Sequence, residues 1–164
     1  MNVKRIILGT VALVTIATCP ARAQQGSDFT ERELTLDVFG FGATRDRGGA
    51  DKDAWGYGVG MNYFLTRNLG VGADSYADAF KIPYQLNFSG IYRYPLDNIS
   101  LAPYAYAGFG RQWDNRAQWL GHIGGGAEYR LSDRTGIFAD IRGVFPETTR
   151  NAAVLRFGFR LKFF

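Results

Sequence analysis

The chain has 164 residues, enough for one domain at ~150 residues per domain. It is 46% hydrophobic and 21% charged, which is too apolar for a disordered chain, and 21 glycines without a triplet period exclude collagen. One Cys and one His exclude a disulfide framework and a Cys-based zinc site, so neither metal nor other cofactor is expected.

At the N-terminus, Lys4 and Arg5 precede an apolar run from Ile6 to Ala17. Pro20 breaks the run, and Ala21-Arg22-Ala23 places small residues at the two positions a signal peptidase reads. The run is too short for a ~20-residue membrane helix. Residues 1–23 therefore read as a secretory signal peptide and residues 24–164 as the mature domain. Thr18 beside Cys19 fits a lipoprotein signal poorly. The formal charge is +4, but removing Lys4, Arg5 and Arg22 cuts the basic residues from 19 to 16 against 15 acids. No footprint for nucleic acid survives a net charge near +1.

Period-two alternation then recurs eight times. The spacing predicts strands over 33–43, 55–65, 69–78, 82–94, 101–113, 117–131, 135–145 and 152–163. The second is the clearest. Trp55, Tyr57, Val59, Met61, Tyr63 and Leu65 alternate with Gly56, Gly58, Gly60, Asn62 and Phe64. A helix would scatter these residues, and three interior glycines would cost it ~3 kcal/mol relative to Ala. Turn residues follow strands two, four and six at Thr66-Arg67-Asn68, Pro95-Leu96-Asp97-Asn98 and Ser132-Asp133-Arg134. An even strand count puts both ends on one side, with those three turns facing the periplasm. Arg45–Asp53 is a long polar loop, read as solvated, that could meet a partner.

The large apolar residues share one face. The other face carries Asp37, Asp74, Glu128 and Asp140 against Arg93, Arg130, Arg142, Arg156, Arg160 and Lys162. In a soluble sandwich or barrel these charges point to water; in a membrane barrel they line the lumen as an ion network. Alternation alone fits both. Two features favour the membrane reading. Strands of ~9–13 residues match the ~9–11 needed to cross a bilayer at a tilt. Trp55, Trp113 and Trp119 gather at one rim, while Tyr63, Phe64, Tyr92, Tyr94, Tyr129 and Phe163 gather at the other, like two interfacial girdles.

With this pattern, the segment Pro103-Tyr104-Ala105-Tyr106-Ala107-Gly108-Phe109-Gly110 and the aromatic C-terminus, the chain resembles the small eight-stranded outer-membrane β-barrel family, such as the OmpA transmembrane domain, OmpX and the opacity-type proteins. The resemblance covers essentially the whole mature chain. It implies an all-β, eight-stranded antiparallel up-and-down transmembrane barrel in the Gram-negative outer membrane. It also implies contact with outer-membrane lipid and insertion by the barrel-assembly machinery, which reads the last strand; a monomer is expected. Phe163 holds the apolar face and Phe164 falls off it, a departure from the usual terminal register.

Candidate chemistry is sparse. His122 faces the lumen, and the lipid A deacylases of this fold place a Ser two residues after such a His; here position 124 is Gly. Asp74-Ser75 resembles the Asp-Ser pair of the palmitoyltransferase barrels, but alternation turns Ser75 to lipid. Glu128 lies ~20 Å along the strand from His122, too far for a relay. No good nucleophile is therefore expected beside His122, which reads as a packing residue. Gly56-x-Gly58-x-Gly60 and Gly124-Gly125-Gly126 precede no helix, so they are not phosphate loops; they make curvature and room for lumenal Arg or Tyr. An eight-strand bore is nearly filled by side chains, which favours a sealed network over an anion pore. The expected function is a non-catalytic barrel with a structural or surface-interaction role. The alternatives are an outer-membrane lipid-modifying enzyme and a soluble periplasmic barrel for an apolar ligand.

Overall fold

The computed structural model describes residues 28–45, 54–78, 85–113, 117–148 and 151–164. The proposed signal peptide, the Arg45–Asp53 loop side chains, Ile82 and Tyr84 lie outside these described residues. Eight strands form: β1 (Glu33–Arg45), β2 (Ala54–Phe64), β3 (Leu69–Asp78), β4 (Gln85–Arg93), β5 (Leu101–Gln112), β6 (Gln118–Arg130), β7 (Thr135–Pro146) and β8 (Ala152–Lys162). Each pairs antiparallel with the next, and β1 pairs with β8, so the sheet closes on itself and leaves no edge. The expected up-and-down barrel is what forms, with strand ends within one to three residues of the alternation pattern.

Closure is tight at the two chain ends. The Leu34 amide donates to the Phe164 carbonyl at 3.0 Å, and the Phe163 amide donates to the Leu34 carbonyl at 2.9 Å. The turns at 65–68, 94–100 and 131–134 are short and lie at one end of the barrel, the turn side. The second contains a 3-10 turn, Asp97–Ile99, followed by Ser100 in the left-handed region at φ 53°. The opposite end is the loop side.

The two faces carry opposite chemistry. Leu155, Phe157 and Phe159 are 57–62% exposed on the outside, while their neighbours Arg156 and Arg160 are 7% and 5% exposed inside. A soluble protein of this size would reverse that arrangement. Strands of 9–13 residues rise ~30–43 Å, or ~23–33 Å at a ~40° tilt, matching the ~25 Å apolar band of membrane barrels.

Candidate functional site in the barrel lumen

Of the ten charged residues expected on the lumenal face, nine point inward and are buried, Asp37, Asp74, Arg93, Glu128, Arg130, Asp140, Arg142, Arg156 and Arg160, and Lys162 is half-buried at the turn-side mouth. Strand alternation places each of them, because every one sits two, four or six residues from another inward residue on its strand or from a cross-strand partner. The structure brings them together in three linked groups.

At the turn side, Glu33 accepts from both terminal nitrogens of Arg93 at 3.1 Å and from Arg130. Lys162 Nζ approaches Glu33 at 3.9 Å, and Arg130 Nε lies 2.6 Å from Glu128. One layer further in, Arg160 clasps Asp37 in a fork of two 2.7 Å bonds and also reaches Glu128. Asn62 donates to Asp37 at 2.9 Å. In the third group, Arg156 forks onto Asp140 at 2.7 Å, and Arg142 forks onto Asp74 at 2.7 and 2.9 Å. Tyr104 and Tyr106 donate their hydroxyls to Asp140 at 2.7 and 2.9 Å, and Asn87 donates to Asp74 at 2.7 Å. Planar guanidinium forks of this kind are the strong form of buried ion pair.

Glu33 joins the network although it is not among the residues expected to form it. The alternation of β1 puts it on the same face as Thr35 and Asp37; its partners Arg93 and Arg130 come from β4 and β6, which the sequence of β1 does not show. With it, five acids meet six bases among the described lumenal residues.

Toward the loop side the lumen departs from the expected charged, glycine-spaced face. Phe39, Phe41, Ala43, Tyr76, Leu120, Val144 and Val154 pack as an apolar cluster that reaches down to Phe138, which lies nearer the turns on β7 than Asp140 and Arg142, while buried Gln85, Gln112 and Gln118 line the loop ends of β4, β5 and β6. Phe39 and Phe41 meet Tyr76 edge to face, with centroids 5.4 and 4.9 Å apart. The glycines of β2 face these rings. Gly56 stands opposite Phe41 and Gly58 opposite Phe39, and a Cβ at Gly56 would come within 2.9 Å of the Phe41 ring. Those two glycines make room for Phe, where Arg or Tyr was expected; Gly124 does make room for Tyr106, whose hydroxyl would lie 2.5 Å from an added Cβ. The junction of the two halves is cationic on aromatic: Arg156 lies over Phe39 at 5.0 Å and Arg160 over Phe138 at 5.1 Å.

His122 corrects one expectation. The Ser89 hydroxyl lies 2.9 Å from its Nε2. The two residues sit on β4 and β6, and both are in register with Gly108 of β5. Gly108 carries no side chain to separate them. The pairing needs a register across three strands, which spacing along one strand does not reveal. Among the described residues no hydrogen-bond partner reaches His122 Nδ1, so none of their carboxylates orients the ring as a relay requires.

Trp55, Trp113 and Trp119 stand at the loop-side rim, 49–67% exposed. Tyr63, Tyr129 and Phe163 stand at the turn-side rim, the first two half-buried, but Phe64, expected in that girdle, turns inward with the alternation of β2 and is buried under the Arg93 guanidinium at 3.6 Å. Arg111 lies over the Trp119 ring at 5.4 Å on the outer face.

A sequence profile of the outer membrane protein β-barrel domain matches residues 11–163. The chain belongs to this family. It is an outer-membrane β-barrel, and its apolar outer face is the face such barrels turn to the bilayer. Neisserial surface protein A aligns with a TM-score of 0.63 at 16% identity, over 79% of this chain and 97% of that one. OprG from Pseudomonas aeruginosa aligns with 0.61 at 12% identity, over 84% and 99%. A de novo designed transmembrane β-barrel aligns with 0.62 at 19% identity, over 81% and 97%. At these identities the likeness is one of fold. No curated protein matches the sequence.

Proposed function

We propose that this chain is a non-catalytic outer-membrane barrel whose lumen is sealed, and whose role is structural or lies in contacts made by its loops at the cell surface. The observation that carries this is the filling of the bore: forked ion pairs cross its turn side and middle, and an apolar cluster beside buried Gln85, Gln112 and Gln118 fills it toward the loop side. A designed barrel of the same shape warns that the fold by itself specifies no activity, so the loops and surface must carry the role. The three short turns face the periplasm, and the tryptophan rim faces the outer leaflet.

The remaining parts of this reading follow from export. Residues 1–23 are removed as a signal peptide, and N-terminal sequencing of the membrane-extracted protein should begin at Gln24. The barrel-assembly machinery reads the last strand and its Phe163-Phe164 end, and the assembled chain is a monomer. Planar-bilayer recordings of the refolded protein test the seal: no discrete conductance is expected, and stable unit currents would overturn it.

One observation favours a second reading, a lipid-modifying enzyme, namely the Ser89–His122 contact. Against it, both side chains are buried inside the barrel, and the imidazole has no acidic hydrogen-bond partner among the described residues. Ester hydrolysis or acyl transfer on outer-membrane lipid that disappears in both Ser89→Ala and His122→Ala would establish the enzyme; unchanged lipid acylation in these variants removes it.

A further inference from the structure

Residues 28–32 precede the first strand and have no part in the sheet, yet Phe29 is fully buried. This segment crosses the turn-side opening and is held from several walls. The guanidinium of Arg93 on β4 lies over the Phe29 ring at 5.1 Å, and that of Arg130 on β6 lies over it at 5.2 Å. Arg93 also donates to the Thr30 carbonyl at 2.9 Å, and Arg67, from the turn after β2, donates to the Phe29 carbonyl at 3.1 Å. The Thr30 amide donates back to Glu33 at 3.1 Å. Between this segment and β1 stands Arg32, in the left-handed region at φ 54°. That conformation is unfavourable for a residue with a side chain and reverses the chain sharply.

We propose that residues 28–32 form a hinged cap that closes the turn-side mouth of the barrel, with Phe29 as the stopper and Arg32 as the hinge. The physical need is clear. Glu33, Arg93 and Arg130 form the outermost ionic layer, and water entering there competes with each of their bonds. An apolar ring in contact with two guanidiniums excludes that water and keeps an attraction to both cations. Two backbone carbonyls of the cap accept from Arg93 and Arg67, so the cap meets the arginines with both its ring and its backbone. Lifting it at Arg32 exposes the layer without breaking any strand pairing.

The test uses the full chain with Cys19→Ser and Thr35→Cys, because Thr35 is buried one layer behind Glu33. The probe is a cationic methanethiosulfonate, and a heat-dependent shift in gel mobility checks folding. Labelling is expected to be slow with the native cap and about tenfold faster or more with Phe29→Ala, as for a locally opened segment. Equal rates in the two proteins would overturn the cap. Arg32→Gly relieves the hinge without removing the stopper, so its rate should stay slow. A rise equal to that of Phe29→Ala would overturn the role of the ring. Amide exchange at Thr30 in the unsubstituted protein decides the matter even if Phe29→Ala does not fold. Protection of about a hundredfold is expected, and exchange at the free-chain rate would contradict the proposal.

Discussion

The turn-side and loop-side halves of the lumen fill the same narrow tube with opposite chemistry. On the turn side, arginines cross the bore and every charge depends on a partner from another strand. On the loop side, aromatic rings from β1 and β3 pack beside buried glutamines of β4 to β6, and what the rings depend on is glycine in the facing strand. Ion pairs are intolerant of losing one member; rings are intolerant of losing room. The difference teaches that one barrel wall serves both fillings, because only the inward residue of each pair changes.

The largest expected effect breaks the ionic half. Arg160→Met leaves Asp37 with no cation among the described residues and Glu128 with Arg130 alone, and losing one member of a buried network costs about 3–5 kcal/mol. Urea unfolding in detergent micelles should show the loss; a shift under about 1 kcal/mol would mean that water reaches these groups. Next, Gly58→Val puts a side chain into the Phe39 ring and should cost about 2–3 kcal/mol by overpacking, read from the same unfolding curves. The milder Phe41→Leu only thins the aromatic filling and should cost about 1 kcal/mol, with the cold-SDS folded band retained. The smallest effect belongs to an ion pair outside both halves. Arg67 and Asp97 clasp at 2.6 Å between two turns, each side chain 43% exposed. Asp97→Asn should cost at most about 1 kcal/mol, and the loss should shrink in high salt.

How much of this was legible depends on the kind of signal. The strands and their faces could be read because a period of two survives even in glycine-rich segments such as 55–65. The charged inner residues could be read because a charge on one face of an apolar strand has few explanations. Phe39 and Phe41 could not be read from chemistry, since an aromatic ring suits lipid as well as lumen. The phase of β1 did mark them: counting by twos from Asp37 carries both inside, with Gly40 and Gly42 outside. The Ser89–His122 contact required the register of three strands. The cap at 28–32 has no periodicity at all, and its burial comes from groups on β4, β6 and a distant turn.

The central claim is that apolar residues meet lipid and ionised groups fill the axis. A nitroxide attached at position 157 (Phe157→Cys in a Cys19→Ser background), with the protein reconstituted in bilayers, tests it most directly. Collisions with dissolved oxygen should exceed those with a water-soluble nickel chelate, as for a side chain among acyl chains. The reverse ratio, with the chelate reaching the label freely, would contradict the account.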